Sequence, residues 1–334
     1  MMPLPQFEIH SPADLGEALG LLAAHGDGAK ILAGGTDLIV AMKHGLNKPR
    51  HVVWLGKVAG MTGITDLPDG SVRFGAMCTL DEISRSPLVK KRLPKLAEAA
   101  NYIASPQIRN RATLGGNLCI NTRCFYYDHS EFWRGSLCGC LKLGVDGGGM
   151  KQVCQAGPGL GVCTAVFFSD MAPALIALGA SVEIRGQAGK RSIPLAGLYG
   201  SDGSAHLTLS RGELLSAVTI PALPPNLRFS RRKIGMRGSI DFPIANVGAA
   251  LALDGAGRCV SGTIVIGAVE TCPVNFRRGI EMLSGKKPDA SLIEAVAREA
   301  AASVTPLPNA YESVGYRKKM VEVMVRRCLT DLAG

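Results

Sequence analysis

Six of the ten cysteines in this 334-residue chain, Cys119, Cys124, Cys138, Cys140, Cys154 and Cys163, fall within one stretch, residues 112 to 170. Four thiolates suit an iron–sulfur cluster or a structural zinc ion. Zinc sites usually show paired Cys-x2-4-Cys knuckles, and here only Cys138-Gly139-Cys140 is tight, so spacing by itself leaves both chemistries open. The stretch lacks the apolar periodicity of a core element but holds Phe125, Tyr126, Tyr127, Phe132 and Trp133. Solvated linkers lack such aromatic density, so an ordered, functional loop is expected. His129 reads as a polar loop residue sooner than as a further ligand.

Two glycine turns form the second constellation, Ala33-Gly34-Gly35-Thr36-Asp37-Leu38 and Thr113-Leu114-Gly115-Gly116-Asn117. A strand, a glycine turn and a helix point backbone N–H groups at whatever occupies the helix start, where a phosphate is favoured. The first turn matches neither the Walker A pattern nor Gly-x-Gly-x-x-Gly, and a plain structural turn accounts for it equally well. Two such turns, each beside a hydroxyl and a polar side chain, can clamp an extended diphosphate ligand from two sides.

The elements that must position these residues follow from periodicity. Ser11-Pro12-Ala13-Asp14 reads as a helix start, with Leu15, Ala18, Leu19 and Leu22 on one face and a stop near Gly26. A strand at 29–32, the first turn, a helix to about 43 and a strand at 51–55 complete a small lobe, residues 1–57. The second lobe, 58–222, has a strand near 72–74, a helix over 93–104 ended by Ser105-Pro106, and strands at 181–184 and 213–220, with an insertion at about 118–168. The break Pro221-Ala222-Leu223-Pro224-Pro225 opens a third domain, 223–334, an α+β unit with a half-buried sheet.

Composition, 47% apolar and 19% charged, is that of a globular chain with sizeable cores. No segment approaches the ~20 apolar residues of a membrane span, and the first residues lack the basic and apolar parts of an export signal, so a cytoplasmic location is expected. There, clustered cysteines serve metals more often than disulfides. The net charge of +10 is scattered over short runs such as Lys90-Lys91-Arg92 and Arg231-Arg232-Lys233, without any nucleic-acid-binding pattern. These are expected to be solvated faces or docking surfaces for acidic partners.

The turns 33–38 and Ile108-Arg109-Asn110-Arg111-Ala112-Thr113-Leu114-Gly115-Gly116-Asn117-Leu118, in that order, resemble the FAD-binding signatures of the flavoprotein subunit of molybdenum hydroxylases. Gly75-Ala76 with Thr79 and Glu82-Ile83, Ser169-Asp170, Asp241-Phe242-Pro243 and Tyr316-Arg317 extend the likeness over nearly the whole chain. The resemblance implies a two-lobed FAD-binding fold of the vanillyl-alcohol-oxidase type, followed by a carbon monoxide dehydrogenase flavoprotein C-terminal domain. It implies FAD contacts from Leu32, Ala33, Gly34, Gly35, Thr36, Asp37 and Leu38, from Gly75 and Thr79, and from Ile108, Thr113, Gly115, Gly116 and Asn117. Asp170 is expected near the ribityl and diphosphate part of the cofactor, or as a helix cap, or both.

Most members pass almost directly from Gly-Gly-Asn-Leu to Ser-x-x-Asp, whereas residues 118 to 168 intervene here. Thr122-Arg123-Cys124, Tyr126-Tyr127, Ser130-Glu131-Phe132-Trp133-Arg134 and Cys140-Leu141-Lys142 resemble the loop of the 4-hydroxybenzoyl-CoA reductase β subunit, which holds an extra 4Fe-4S cluster. That likeness implies Cys124, Cys140, Cys154 and Cys163 as ligands, with Cys119 and Cys138 spare and Cys138 the rival to Cys140. The interval from Cys140 to Cys154, with Gly144, Gly147, Gly148 and Gly149, is longer than in that relative. Implied partners are a small subunit with 2Fe-2S clusters and a large molybdopterin subunit, in a dimer of heterotrimers fed by ferredoxin or a similar donor. No catalytic residue is expected on this chain.

Overall fold

The computed structural model describes residues 3–137, 139–143, 154–238 and 240–334, so Cys138, Gly144 and Gly147-Gly148-Gly149 lie outside the described residues. Three sheets follow one another along the chain. β1 (Glu8–His10), β2 (Ala29–Leu32) and β3 (His51–Trp54) form a parallel sheet in the order β1-β3-β2. Parallel neighbours need crossovers, supplied by the helices Leu15–His25 and Leu38–Lys43. β4 (Ile64–Asp66), β5 (Val72–Gly75), β6 (Ser181–Gly186), β7 (Gly189–Pro194) and β8 (Leu214–Ile220) make an antiparallel sheet ordered β4-β5-β8-β6-β7. β9 (Leu227–Ile234), β10 (Ala245–Leu253), β11 (Cys259–Gly267) and β12 (Val274–Asn275) form the last sheet, ordered β12-β11-β10-β9.

Local chemistry moves several boundaries from their expected places. The first helix starts at Leu15, because the Asp14 carboxylate accepts from Glu17 N at 2.9 Å while the Glu17 carboxylate accepts from Ala13 N at 2.8 Å. Ser11 plays no part in that cap. The helix expected over 93–104 runs Pro94–Asn101: Pro94 opens it and holds Leu93 outside the helical region, which separates it from a preceding helix, Pro87–Arg92.

The sheet of the third domain was expected to be half-buried, yet all nine residues of β10 are buried. Ala245, Val247, Ala249, Leu251 and Leu253 pack with Val296, Val325 and Leu329 of the helices Ala290–Ser303 and Val314–Ala333. Ala250 on the opposite face joins the core of the second lobe, which includes Ala172, Ala174 and Leu175 of the helix Ala172–Ala177. Small side chains on that face leave room for the helix to lie against the sheet. Asn246, fully buried, donates its Nδ2 to Ser169 O at 3.0 Å and carries the contact to the segment beside the second turn. No helix among the described residues is long and apolar enough to cross a membrane.

Candidate functional site

The two glycine turns touch. A Cβ on Gly34 would fall 1.7 Å from the Arg111 carbonyl oxygen, so glycine is required there by the other turn rather than by a ligand. Gly35 has φ +78°, a conformation that L side chains rarely adopt. Leu32 to Gly35 are half-buried and Thr36 is exposed. Among the described residues, no acceptor takes the backbone N–H groups of Gly34, Gly35, Thr36, Asp37 or Leu38. Consecutive unpaired amides of this kind fit the phosphates of a dinucleotide.

The second turn is built differently from the expected row of free amides. Leu114 N donates to Cys78 O, Gly115 N to Ala76 O, Gly116 N to Thr113 Oγ1 and Asn117 N to Thr113 O, at 2.8 to 3.1 Å. Pairing with residues 76 and 78 takes the first two of these donors and Thr113 takes the other two, while Thr79 faces Thr113 in an isolated bridge. Thr79 itself forms a capping box with Glu82, and a Cβ on Gly75 would strike Met61 O at 2.3 Å. Thr79 therefore braces the second turn, while Gly75 lets β5 pass close to Met61. Ile108, half-buried, accepts from Arg111 N and Ala112 N with its carbonyl and shapes the entry to it. Gly116 alone leaves space: a Cβ there meets only Thr113 Oγ1 at 3.0 Å and Ala33 at 3.9 Å.

Asn117 and Asp170 carry the turn to the third domain. Asn117 Oδ1 accepts from Ser169 Oγ at 2.8 Å and Met171 N at 3.1 Å. Ser169 Oγ accepts from Ala172 N, so Ser169 takes the capping role considered for Asp170. The Asp170 carboxylate, 4% exposed, instead meets Arg231 Nη2 at 3.1 Å and Lys233 Nζ at 2.9 Å, themselves 7% and 9% exposed. The basic run Arg231-Arg232-Lys233, expected on a solvated face, alternates along β9. Arg231 and Lys233 point inward to Asp170, and Arg232 points outward to Asp331 at 2.6 Å. Burial pulls the Arg231 guanidinium below its ordinary pKa, with Asp170 opposing the shift.

The cysteine loop is docked on both sides. Arg123 Nη2 donates to Asp37 Oδ1 at 2.7 Å and its guanidinium lies 4.5 Å from the centre of the Phe242 ring. Lys48 pairs with Glu131 at 2.7 Å, and Phe125 N donates to Asn309 O at 2.7 Å. Asp37, assigned to the cofactor, is thus also the link between the first turn and the loop. The nine described cysteines are all free. Cys124, Cys140, Cys154 and Cys163 lie near enough that their charges act on one another: Cys140 and Cys163 raise the Cys124 pKa, and Cys140 and Cys154 raise that of Cys163, both behind the larger effect of burial. Cys119 is raised to about 12 by burial alone and stands apart from this group.

Lys142, absent from the expected ligand or contact residues, sits among these thiols. Its ammonium donates to Asn121 Oδ1 at 2.8 Å, Thr122 O at 2.9 Å, Gly203 O at 3.0 Å and Thr122 Oγ1, all uncharged acceptors. Burial lowers its pKa to about 8, opposed by the charges of Cys163, Asp128, Cys124 and Cys140. A buried ammonium facing three thiols fits an anionic thiolate-bound centre. Among the described residues no three of the thiols lie within 4.8 Å of one another. A cavity of about 490 Å³ lined by Leu22, Lys190, Arg191 and Arg211 lies away from both turns and holds none of the expected site residues.

Two lobes meeting at paired glycine turns, with a third domain clasped against them, define a flavoprotein subunit. This chain belongs to the FAD-binding medium subunits of the molybdenum hydroxylase family. Residues 5–223 match the FAD binding domain in molybdopterin dehydrogenase, and residues 230–332 match the CO dehydrogenase flavoprotein C-terminal domain. The chain is 30% identical to the carbon monoxide dehydrogenase medium chain of Hydrogenophaga pseudoflava, covering 98% of this chain and 97% of the relative. It is 29% identical to the nicotine 6-hydroxylase medium subunit of Paenarthrobacter nicotinovorans, over 99% and 98% of the two chains. Among solved structures, carbon monoxide dehydrogenase from Hydrogenophaga pseudoflava superposes with a TM-score of 0.79 at 26% identity, covering 98% of both chains. Quinoline 2-oxidoreductase from Pseudomonas putida 86 gives 0.78 at 26% identity, over 99% and 98%.

Proposed function

We propose that this chain is the electron-transfer subunit of a molybdenum enzyme resembling 4-hydroxybenzoyl-CoA reductase, carrying FAD and one 4Fe-4S cluster. The first turn holds the FAD diphosphate on the amides of Gly34 to Leu38, and the second turn, through Thr113 to Asn117, fixes its shape and edge. Cys124, Cys140, Cys154 and Cys163 hold the cluster. FAD supplies two-electron chemistry and the cluster one-electron chemistry when bound. The chain's own residues set the conditions: Lys142 places a positive charge beside the cluster thiolates, and Arg123 with Asp37 ties the cluster loop to the flavin turn. The partners are a 2Fe-2S small subunit and a molybdopterin large subunit in a dimer of heterotrimers, and ferredoxin or a similar donor supplies electrons for removal of an aromatic hydroxyl from an aryl-CoA thioester. The substrate pocket lies on the large subunit.

The observation that carries this proposal is the buried Lys142 ammonium, held by uncharged acceptors and surrounded by thiols of the inserted loop. A second reading, a hydroxylase running oxidatively on another substrate, is favoured by relatives named for carbon monoxide and nicotine. Both are tested on anaerobically purified protein. Flavin bands with a broad iron–sulfur shoulder, four irons per chain and a low-temperature EPR signal on reduction are expected. Cys124→Ser, Cys140→Ser, Cys154→Ser and Cys163→Ser should each lose the cluster, and Cys119→Ser should keep it. Flavin alone, or tightly bound zinc without iron, would remove the cluster. Aryl-CoA reduction assayed with the native complex separates the two directions.

A further inference from the structure

Half of the chain's six histidines meet at one place in the N-terminal lobe. His10 ends β1, His51 begins β3 and His25 is the last residue of the helix Leu15–His25. Parallel pairing of β1 with β3 sets Glu8 directly opposite His51, and His10 follows Glu8 on the same face of its strand. The helix end then lays His25 over His51. Each ring offers a nitrogen within 4.8 Å of the other two, and no other three His, Cys, Asp or Glu ligand atoms among the described residues converge in this way.

We propose that His10, His25 and His51, with Glu8, form a binding site for a divalent transition-metal ion of the zinc type. The distances carry the assignment. His10 Nε2 lies 3.2 Å from His51 Nδ1, and Glu8 Oε2 lies 3.5 Å from the same Nδ1. Ligands about 2.0–2.1 Å from a tetrahedral ion are roughly 3.3 Å apart, so each of these two pairs has the spacing of neighbouring ligands, while Glu8 approaches His10 on its other nitrogen, Nδ1, at 3.8 Å. His25 supplies the third nitrogen. Its ring is stacked on His51 with centroids 3.6 Å apart and sits 5.2 Å from His10, so it joins by turning off the His51 face, at a half-exposed helix end.

Three imidazoles and a carboxylate select zinc, nickel, cobalt or copper over calcium or magnesium, which take oxygen ligands. The charges around the site do not oppose a cation. Glu8 brings a negative charge, and Arg211 beside Gly26 is paired with Asp27 at 3.0 Å. The ion would join a three-residue edge strand to β3 and to the helix that leads into β2, the strand feeding the first glycine turn. Its binding therefore stabilises the lobe that holds the flavin amides.

The test uses the full chain with its flavin, treated with chelator, exposed to Zn²⁺ and dialysed. The wild type should retain one equivalent of zinc more than the double variant His10→Ala/His51→Ala, and Glu8→Gln should weaken binding by about tenfold. Comparing these proteins cancels any zinc held by the cysteine loop, which is intact in all of them. A measurement without any variant stands beside this. Zn²⁺ should protect His10, His25 and His51 of the wild type from diethyl pyrocarbonate, read by peptide mapping, and the other three histidines should react as before. Equal zinc content in wild type and double variant, or ring modification unaffected by zinc, overturns the proposal. If the double variant loses its flavin or its circular dichroism, the protection experiment decides.

Discussion

Replacing Asp170 by asparagine removes one charge and almost no volume. In the native chain its carboxylate faces two cations at 3.1 and 2.9 Å, and all three side chains are at most 9% exposed. At an effective dielectric of about 20, each contact is worth roughly 5 kcal/mol of gross attraction, most of it offset by the cost of burying the charges. Removing one partner leaves that cost in place for Arg231 and Lys233, so Asp170→Asn should lose about 3–5 kcal/mol. Because the triad joins the second lobe to β9 of the third domain, their unfolding should also separate. Urea unfolding followed by far-ultraviolet circular dichroism and by flavin fluorescence reads both effects. A second substitution, Lys233→Met in the Asp170→Asn background, should restore a large part of the loss, because one uncompensated charge is then gone. A loss below about 1 kcal/mol, or no recovery in the double variant, would refute the view that buried charge holds the domains together.

Further outcomes follow from the turns and from a buried histidine. Gly35→Val and Gly116→Val should release flavin, the first through its positive φ and the second by filling the open side of the turn; full retention of FAD in both would overturn the seat. Gly34→Ala should destabilise the chain itself, since its Cβ meets Arg111 O, and normal yield and urea midpoint would contradict that contact. His206 donates Nε2–H to Ile120 O at 2.9 Å, and burial lowers its pKa from 6.5 to about 4. The unfolded chain therefore binds more protons between those values, so stability should fall as pH drops from 6.5 to 4, by roughly 3 kcal/mol. His206→Gln should flatten that part of the profile, and an unchanged pH slope would count against the assignment.

Much of this protein follows from local chemistry that sequence alone carries. The strand–turn–helix around Gly34-Gly35, the second glycine turn, the proline break before the third domain and the grouping of cysteines each depend on neighbours along the chain. Glycine's backbone freedom, proline's fixed φ and thiolate affinity for metal act over a few residues, so order and spacing suffice to show them. Short-range rules also explain the shifted boundaries, since Asp14 rather than Ser11 caps the first helix and Pro94 opens the helix expected from Leu93.

What only the tertiary structure decides is which of these local pieces meet. Gly34 is small because of Arg111, a residue from the other turn, and the amides of Leu114 and Gly115 in the second turn are taken by Cys78 and Ala76. Asp170 finds its partners about sixty positions away, on the inward side of a strand whose basic residues read as solvated. Lys142 comes to rest among thiols, and His10, His25 and His51 converge through a parallel pairing. Most of these contacts join residues far apart in sequence, where periodicity and propensity carry no information and packing of the whole chain sets the distance.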